Sequence, residues 1–283
     1  GGNSKRVIYQ NNDFTSETIT IFDGFVIQNG NINENGAGVY MRDYSMLRNC
    51  IVRNNTGNRG SAIYTYGYAN IINCLIVDNT STYNSTSASS VFLLDSTLFV
   101  NNTVVNNTSV VGTGGVYVDN SKVRIYNSIL WGNKKGEEIN NIEGQVPDMR
   151  FTAVEGGYSG IGNIPLASEN TGNAGYYPCF NDIENDDYSL TANSICINKG
   201  SSALMSLPSI DLANTERIKQ GTIDMGAYES DHTPVINIVP GNNNVIYVAT
   251  NASGKKDGSS WSDATSDIHL AVNLANTFNP PAD

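Results

Sequence analysis

Residues 127–133 read NSILWGN, and the same frame stands three times before it: NCIVRNN at 49–55, NCLIVDN at 73–79 and NNTVVNN at 101–107. Each is an Asn, a short alternating apolar run and a second Asn. With DGFVIQN, the closing residues are Asn29, Asn55, Asn79, Asn107 and Asn133, spaced 26, 24, 28 and 26 apart. A second series keeps step: GAGVY, GSAIY, SASSVF and GTGGVY end in Tyr40, Tyr64, Phe92 and Tyr117. A third apolar piece lies between the two, in SMLRN, ANIIN, STLFVN and SKVRIYN. Each period therefore holds three strand-like pieces bounded by Asn, Gly and Ser turns, and none is long or periodic enough for a helix.

A fixed period in the mid-twenties with three short strands predicts a solenoid whose coils stack in parallel, each pairing only with its neighbours. A leucine-rich repeat would show Leu at several fixed offsets, and a propeller blade needs about 40 residues with hairpin turns. The expected fold is all-β: a right-handed parallel β-helix with three short strands per coil and 24–28 residues per coil. Stacked coils lie ~4.8 Å apart, so equivalent residues form ladders along the axis. Alternation sends Cys50 and Val52, Cys74 and Ile76, Val104, and Ser128 and Leu130 into the interior. The closing Asn is expected at a turn, where its amide bonds the amides above and below and tolerates a left-handed backbone. Cys50 and Cys74 fall on one rung, either as two small buried thiols or as a disulfide.

The chain has 283 residues, enough to bury its own core without metals or disulfides. Its net charge is -11 and no basic run exceeds two residues, which argues against nucleic acid or an anionic membrane as partner. No run of ~18 apolar residues could span a bilayer, and no signal peptide is visible, so direct membrane insertion is not expected. Cys50, Cys74, Cys179 and Cys196 lack C-x-x-C spacing, which excludes the usual zinc and thioredoxin-like patterns.

With these repeats in hand, the chain resembles the right-handed parallel β-helix proteins of the pectate-lyase-like superfamily, and more narrowly the large secreted repeat proteins of Bacteroidota. Residues 178–229 run from PCFNDIENDDYSL to IDMGAYE, and that ending resembles the choice-of-anchor Q module that closes such β-helices. VIYVATNASGKKDGSSWSDATSDIHLAVNLAN (245–276) is similar to an amino-terminal cap, with a strand, a polar loop holding Trp261, and a helix with Ile268, Ala271, Val272 and Ala275 at helical spacing. The expected organisation is coils over 1–133, irregular closing coils with the anchor-like segment over 134–230, a linker over 231–244 and the cap of a following module over 245–283. That order predicts a chain running from the middle of one β-helix into the start of a second. The cap segment is then available for head-to-tail contact with the bare edge of the first coil. The resemblance implies a secreted or outer-membrane-surface protein.

Lyases of this fold need a positioned base with Ca²⁺ or a basic residue, and hydrolases need paired carboxylates. The two histidines, His232 in the linker and His269 in the cap helix, leave none for the coils. Arg217-Ile218-Lys219 resembles the RIK element of polygalacturonases, but the expected NTD and GHG partners are missing. Asp186-Asp187 are neighbours on an extended segment and point apart, while Asp43, Asp78, Asp95 and Asp119 share no offset. No catalytic residues are assigned. No cofactor is expected; a Ca²⁺ site built from loop carbonyls and carboxylates stays open, although no EF-hand or nonapeptide loop is present. Alternation places Tyr40, Tyr64, Phe92 and Tyr117 outside in one row, with Tyr66 and Tyr68 beside it, as rings that could stack on polysaccharide or host glycan. The expected function is a non-catalytic adhesin-like or spacer module, with the Asn ladder purely structural. The alternative is a polysaccharide lyase or glycosidase with its site on loops 80–90 or 134–175.

Overall fold

The structure is a computed structural model that describes residues 5–11, 18–166, 177–192, 194–204, 207–232, 240–249 and 257–265, with 252, 254 and 271. The repeats wind into a right-handed parallel β-solenoid of about five turns. A first sheet of six strands stacks Ile8–Gln10, Val39–Met41, Arg59–Thr65, Ser89–Leu93, Val116–Val118 and Ile142–Gly144. A second sheet of six stacks Thr20–Asp23, Ser45–Arg48, Ala69–Ile72, Leu98–Val100, Arg124–Tyr126 and Asp148–Arg150. The heptapeptides form the third, seven-stranded sheet, with Val26–Gln28, Ile51–Arg53, Leu75–Val77, Thr103–Val105, Ile129–Trp131, Ala153–Glu155 and Ile164–Leu166. A fourth wall follows each heptapeptide in strands of two residues, Thr56–Gly57, Thr80–Ser81, Thr108–Ser109 and Lys134–Lys135. These are too short to leave a hydrophobic signature, which is why three strands per coil were legible and the fourth was not.

The interior is filled by one side chain above another. Val39, Ile63, Val91 and Val116 come from the first sheet, Leu47, Ile71, Phe99 and Ile125 from the second, and Val52, Ile76, Val104 and Leu130 from the third, all at 0% exposure. Each such side chain contributes roughly 1.5–3 kcal/mol by leaving water.

Polar ladders run beside this core. Asn55 Nδ2 donates to Asn79 Oδ1 at 2.9 Å, Asn79 to Asn107 at 2.9 Å, Asn107 to Asn133 at 2.9 Å and Asn133 to Asn141 at 2.8 Å. Each Oδ1 also accepts the backbone N–H of the residue one coil back, and each Nδ2 reaches a strand carbonyl of that coil, as Asn79 does to Val52 O at 2.9 Å. Asn29 is not on this ladder. Strand pairing sets Gln28 against Arg53, so Asn29 lies beside Asn54, is exposed, and leaves Gly30 N–H to meet Asn55 Oδ1 at 2.8 Å. Nor do the ladder residues carry the left-handed backbone. That conformation falls on the residue before each, Asn54, Asp78, Asn106 and Gly132, with φ between 54° and 66°, and on the opening Asn49, Asn73, Asn101 and Asn127. A heptapeptide is thus a strand with a left-handed corner at each end, and its seventh residue turns inward.

A second ladder occupies the second heptapeptide position. Phe25 N–H meets Cys50 Sγ at 3.4 Å, Cys74 N–H meets Asn102 Oδ1 at 2.8 Å, Asn102 N–H meets Ser128 Oγ at 3.2 Å, and Ser128 N–H meets Thr152 Oγ1 at 3.4 Å. All four cysteines are free thiols.

The parallel ladders continue past 133 to Leu166, and residues 177–230 cover the outer side of the third sheet. There Tyr188, Leu190, Cys196, Ile197 and Met225 pack on the outward Leu75, Val77, Val105, Ile129 and Trp131. Asn127 Nδ2 donates to Ser201 O and its Oδ1 accepts Ser201 N–H, at 3.0 and 2.9 Å. The Gly of IDMGAYE is required by this contact: Gly226 has φ 95°, and a Cβ on it would lie 2.7 Å from Thr103 Oγ1. Within the cover, Arg217 is fully buried, with Nη2 donating to Gly226 O at 2.6 Å and Nε 4.0 Å from Glu229 Oε2. Asp211 and Asp224 complete the cluster, each accepting two backbone N–H groups. Beyond the cover, Val248 bridges Thr265 in parallel and Trp261 stands edge-on to Tyr247 at 5.1 Å. Of the expected cap helix, Ala271 is buried, while Ile268, His269, Val272 and Ala275 lie outside the described residues.

Two outcomes are expected. Asn79→Ala strands the donors of Asn55 and the carbonyls of Val52 and Val77, and should cost about 3 kcal/mol or more in urea unfolding, whereas Asn29→Gly should be near neutral. Burial, with the Asp224 charge added, pushes the Glu229 carboxyl up to about 7 from an ordinary value of 4.5. A carboxyl raised in this way takes up a proton on folding. Its contribution, up to about 3 kcal/mol, is full below pH 4.5 and is lost as pH rises through about 7. Thermal unfolding should show this fall between pH 5 and 8 in the native chain, and Glu229→Gln should flatten it.

Candidate functional site

Parallel, in-register pairing places like residues directly above one another, and on the first sheet the outward position is aromatic. Tyr9, Tyr40, Tyr64, Phe92 and Tyr117 pair in register across five strands, and Glu143 closes the row. Ring centroids are 5.2, 5.2, 5.0 and 5.1 Å apart, with the inner rings within 15° of parallel. The inward neighbours Val39, Ile63, Val91 and Val116 are buried, so the alternation read from the sequence places these faces correctly.

The ring faces, however, are turned on each other. At these separations no sugar fits between them, and Phe92 is only 4% exposed. What the stripe presents outward is ring edges, with the hydroxyls of Tyr9, Tyr40, Tyr64 and Tyr117. Burial raises the pKa of Tyr40, and of Tyr64 with help from the neighbouring Tyr40. Both hydroxyls therefore stay protonated, able to donate and accept.

Guanidinium groups flank the rings. Arg6 lies 4.6 Å from the Tyr9 centroid and 5.3 Å from that of Tyr40, and Arg59 lies 5.0 Å from Tyr83 and 5.9 Å from Phe92. Arg59 is steadied by Ser87 Oγ at 2.7 Å, and Arg6 by carbonyls of Asn35 and Gly36. Beside the row, at the turn leaving the first sheet, Tyr66 is 42% exposed with Arg42 at 4.9 Å from its centroid, and Tyr68 is 56% exposed and stacked on Tyr44 at 5.6 Å. Sequence reasoning missed Tyr9, although VIYQ at 7–10 repeats the alternation of GVYM at 38–41. It also missed the arginines, which stand at no common offset.

Four of the six carboxylates weighed as catalytic candidates, Asp43, Asp95, Asp186 and Asp187, have structural employment. Asp43 and Asp95 accept the N–H groups of Tyr68 and Gly67 at 3.0 Å each. Asp186 lies in a left-handed turn, not on an extended segment, and pairs with Arg53 at 2.7 Å. Asp187 opens the following strand and accepts from Asn181 and Ser189, so the turn and not strand alternation separates the two. Arg217 is sealed in the cover and Lys219 pairs with Asp231 at 2.9 Å, which separates the RIK residues from any shared surface. On the loop side, Tyr126 donates to Asp148 Oδ2 at 2.6 Å while Arg150 holds Oδ1 at 2.7 Å. Burial and that carboxylate push Tyr126 up to about 12, and the tyrosine and arginine keep Asp148 ionised. This arrangement is a bound carboxylate with no proton to give. A groove of about 550 Å³ opens in the cover between Leu207, Pro208, Ile210 and Ile218, away from the aromatic stripe. Among the described residues, no group of three or more His, Cys, Asp or Glu side chains is placed to hold a metal. No family model, curated protein or solved structure matches the chain, and its architecture alone classes it as a parallel β-solenoid.

Proposed function

We propose that this chain is a non-catalytic β-helix module of the pectate-lyase-like kind, with a choice-of-anchor-like cover, from a secreted or surface-displayed protein of the Bacteroidota type. It serves as a stiff spacer that adheres to polysaccharide along its aromatic stripe. The observation that carries this reading is the row of tyrosine hydroxyls repeated at coil spacing. That interval, ~4.8 Å, is close to the advance of one hexose along an extended β-linked chain. A polysaccharide lying parallel to the solenoid axis would meet a donor–acceptor at each coil of the row except that of Phe92, and Tyr66 and Tyr68, 42% and 56% exposed, add ring surface beside it. The overall charge of -11 favours neutral over acidic glycans. The repeats support a passive role, since the inward asparagines of the ladder are consumed in coil-to-coil bonds.

Glycan-array binding followed by calorimetry tests the reading, with reducing ends and unsaturated products measured in the same wells. Tyr64→Phe keeps the stack and removes one hydroxyl, so affinity should fall about 2- to 10-fold. Phe92→Tyr fills the gap in the row and should strengthen binding by a similar factor. Equal affinities for native chain and Tyr64→Phe would refute the hydroxyl ladder, and product release would refute the non-catalytic reading.

A further inference from the structure

Cys50 and Cys74 stand on consecutive coils at the same position of the second ladder. Ile51 pairs with Leu75, and Leu75 N–H donates to Cys50 O at 3.0 Å, so the two cysteines immediately before them are separated by one strand spacing. That spacing, ~4.8 Å between Cα atoms, lies within the range a disulfide bridges. Both side chains point into the solenoid, and both are free thiols.

Their surroundings differ. The Cys50 sulfur receives the Phe25 N–H at 3.4 Å, while its own thiol faces Arg48 O at 3.1 Å and that of Cys74 faces Ile72 O at 3.3 Å. The neighbouring Cys74, with the Phe25 and Gly24 N–H groups, holds the Cys50 pKa below the ordinary value. Burial pushes Cys74 up. Cys50 is closed to bulk water by the coil that carries Phe25 and Val26–Gln28. There Phe25 is 53% exposed and the Cα of Gly24 faces open space. Cys50, and not Cys74, adjoins these exposed positions.

We propose that Cys50 and Cys74 form an oxidisable pair, with Cys50 as the nucleophile and Cys74 as the resolving thiol, whose product is a disulfide stapling two successive coils. The oxidant is hydrogen peroxide. The Cys50 thiolate attacks one peroxide oxygen; an S–O bond forms, the O–O bond breaks, and the departing hydroxide is protonated to water. The Cys74 sulfur then attacks the Cys50 sulfur; the S–S bond forms, the S–O bond breaks, and the hydroxyl leaves with the Cys74 proton as a second water. Two thiols lose two electrons and one peroxide gains them. The staple closes a loop of 24 residues (74 − 50), which restricts the unfolded chain.

The full chain, freshly reduced, would be treated with stoichiometric hydrogen peroxide and digested with trypsin without reductant. Arg53 and Arg59 lie between the two cysteines, so they fall on separate peptides. The expected result is one linked pair carrying Cys50 and Cys74, with a melting temperature raised by roughly 5 °C and restored by dithiothreitol. In Cys74→Ser, Cys50 should stop at a sulfenic acid trapped by dimedone. Mapping of the native chain decides the matter even if that variant fails to fold. Recovery of both cysteines as alkylatable thiols while Cys179 oxidises would overturn the proposal. So would overoxidation of Cys50 to a sulfinic acid with Cys74 untouched.

Discussion

The side-chain amide of asparagine is the interaction on which this architecture rests. A coil that closes on itself every 24–28 residues must bring corner backbone groups inward, and buried N–H and C=O groups left unpaired cost several kcal/mol each. An amide carries two donors and an acceptor with two lone pairs, so one asparagine satisfies its own coil's neighbour and hands an identical opportunity to the next. A serine lacks the reach, and an aspartate would bury like charges in a column. Where the column ends, the chemistry changes as it must: Gly30 supplies a bare N–H at one end, and at the other Asn141 bonds the carboxylate and carbonyl of Glu155.

The same translation governs the surface. Whatever stands on an outward position is repeated one strand spacing away, which suits rings, hydroxyls and amides and is unfavourable for equal charges. The aromatic stripe is thus partly a consequence of the fold, with Tyr40, Tyr64, Phe92 and Tyr117 stacking as any aromatic ladder would. Its chemistry is therefore that of ring edges. The acids respond to the same constraint by scattering to the corners, where Asp43 and Asp95 hold backbone N–H groups of the adjacent coil.

Most of the stripe was legible because strand alternation and coil period are both local. The aromatic positions and their inward partners follow from counting. The ring faces did not, since whether a ring offers its face or its edge depends on the side chain one coil away. Asn29 shows the limit of pattern matching: DGFVIQN fits the frame, yet pairing of Val26 with Ile51 shifts it one place, and a one-residue shift exchanges inside for outside. Asn141 shows the converse, filling a ladder position only eight residues after Asn133 because the chain doubles back through Lys134–Lys135 and Glu138–Ile139.

The sequence by itself determined the period, the stacking direction and the identity of the interior, because each depends on residues within one coil and its copies. The cover was decided only in three dimensions. Leu75, Val77, Val105, Ile129 and Trp131 point out of the third sheet and had to be shielded, but nothing periodic announces that residues 177–230 would do so. That shielding joins Asn127 to Ser201, Thr103 to Ala227 and Arg53 to Asp186. Contacts so distant along the chain are selected by the free energy of covering apolar surface, which depends on the finished shape of the solenoid and leaves no spacing rule in the sequence.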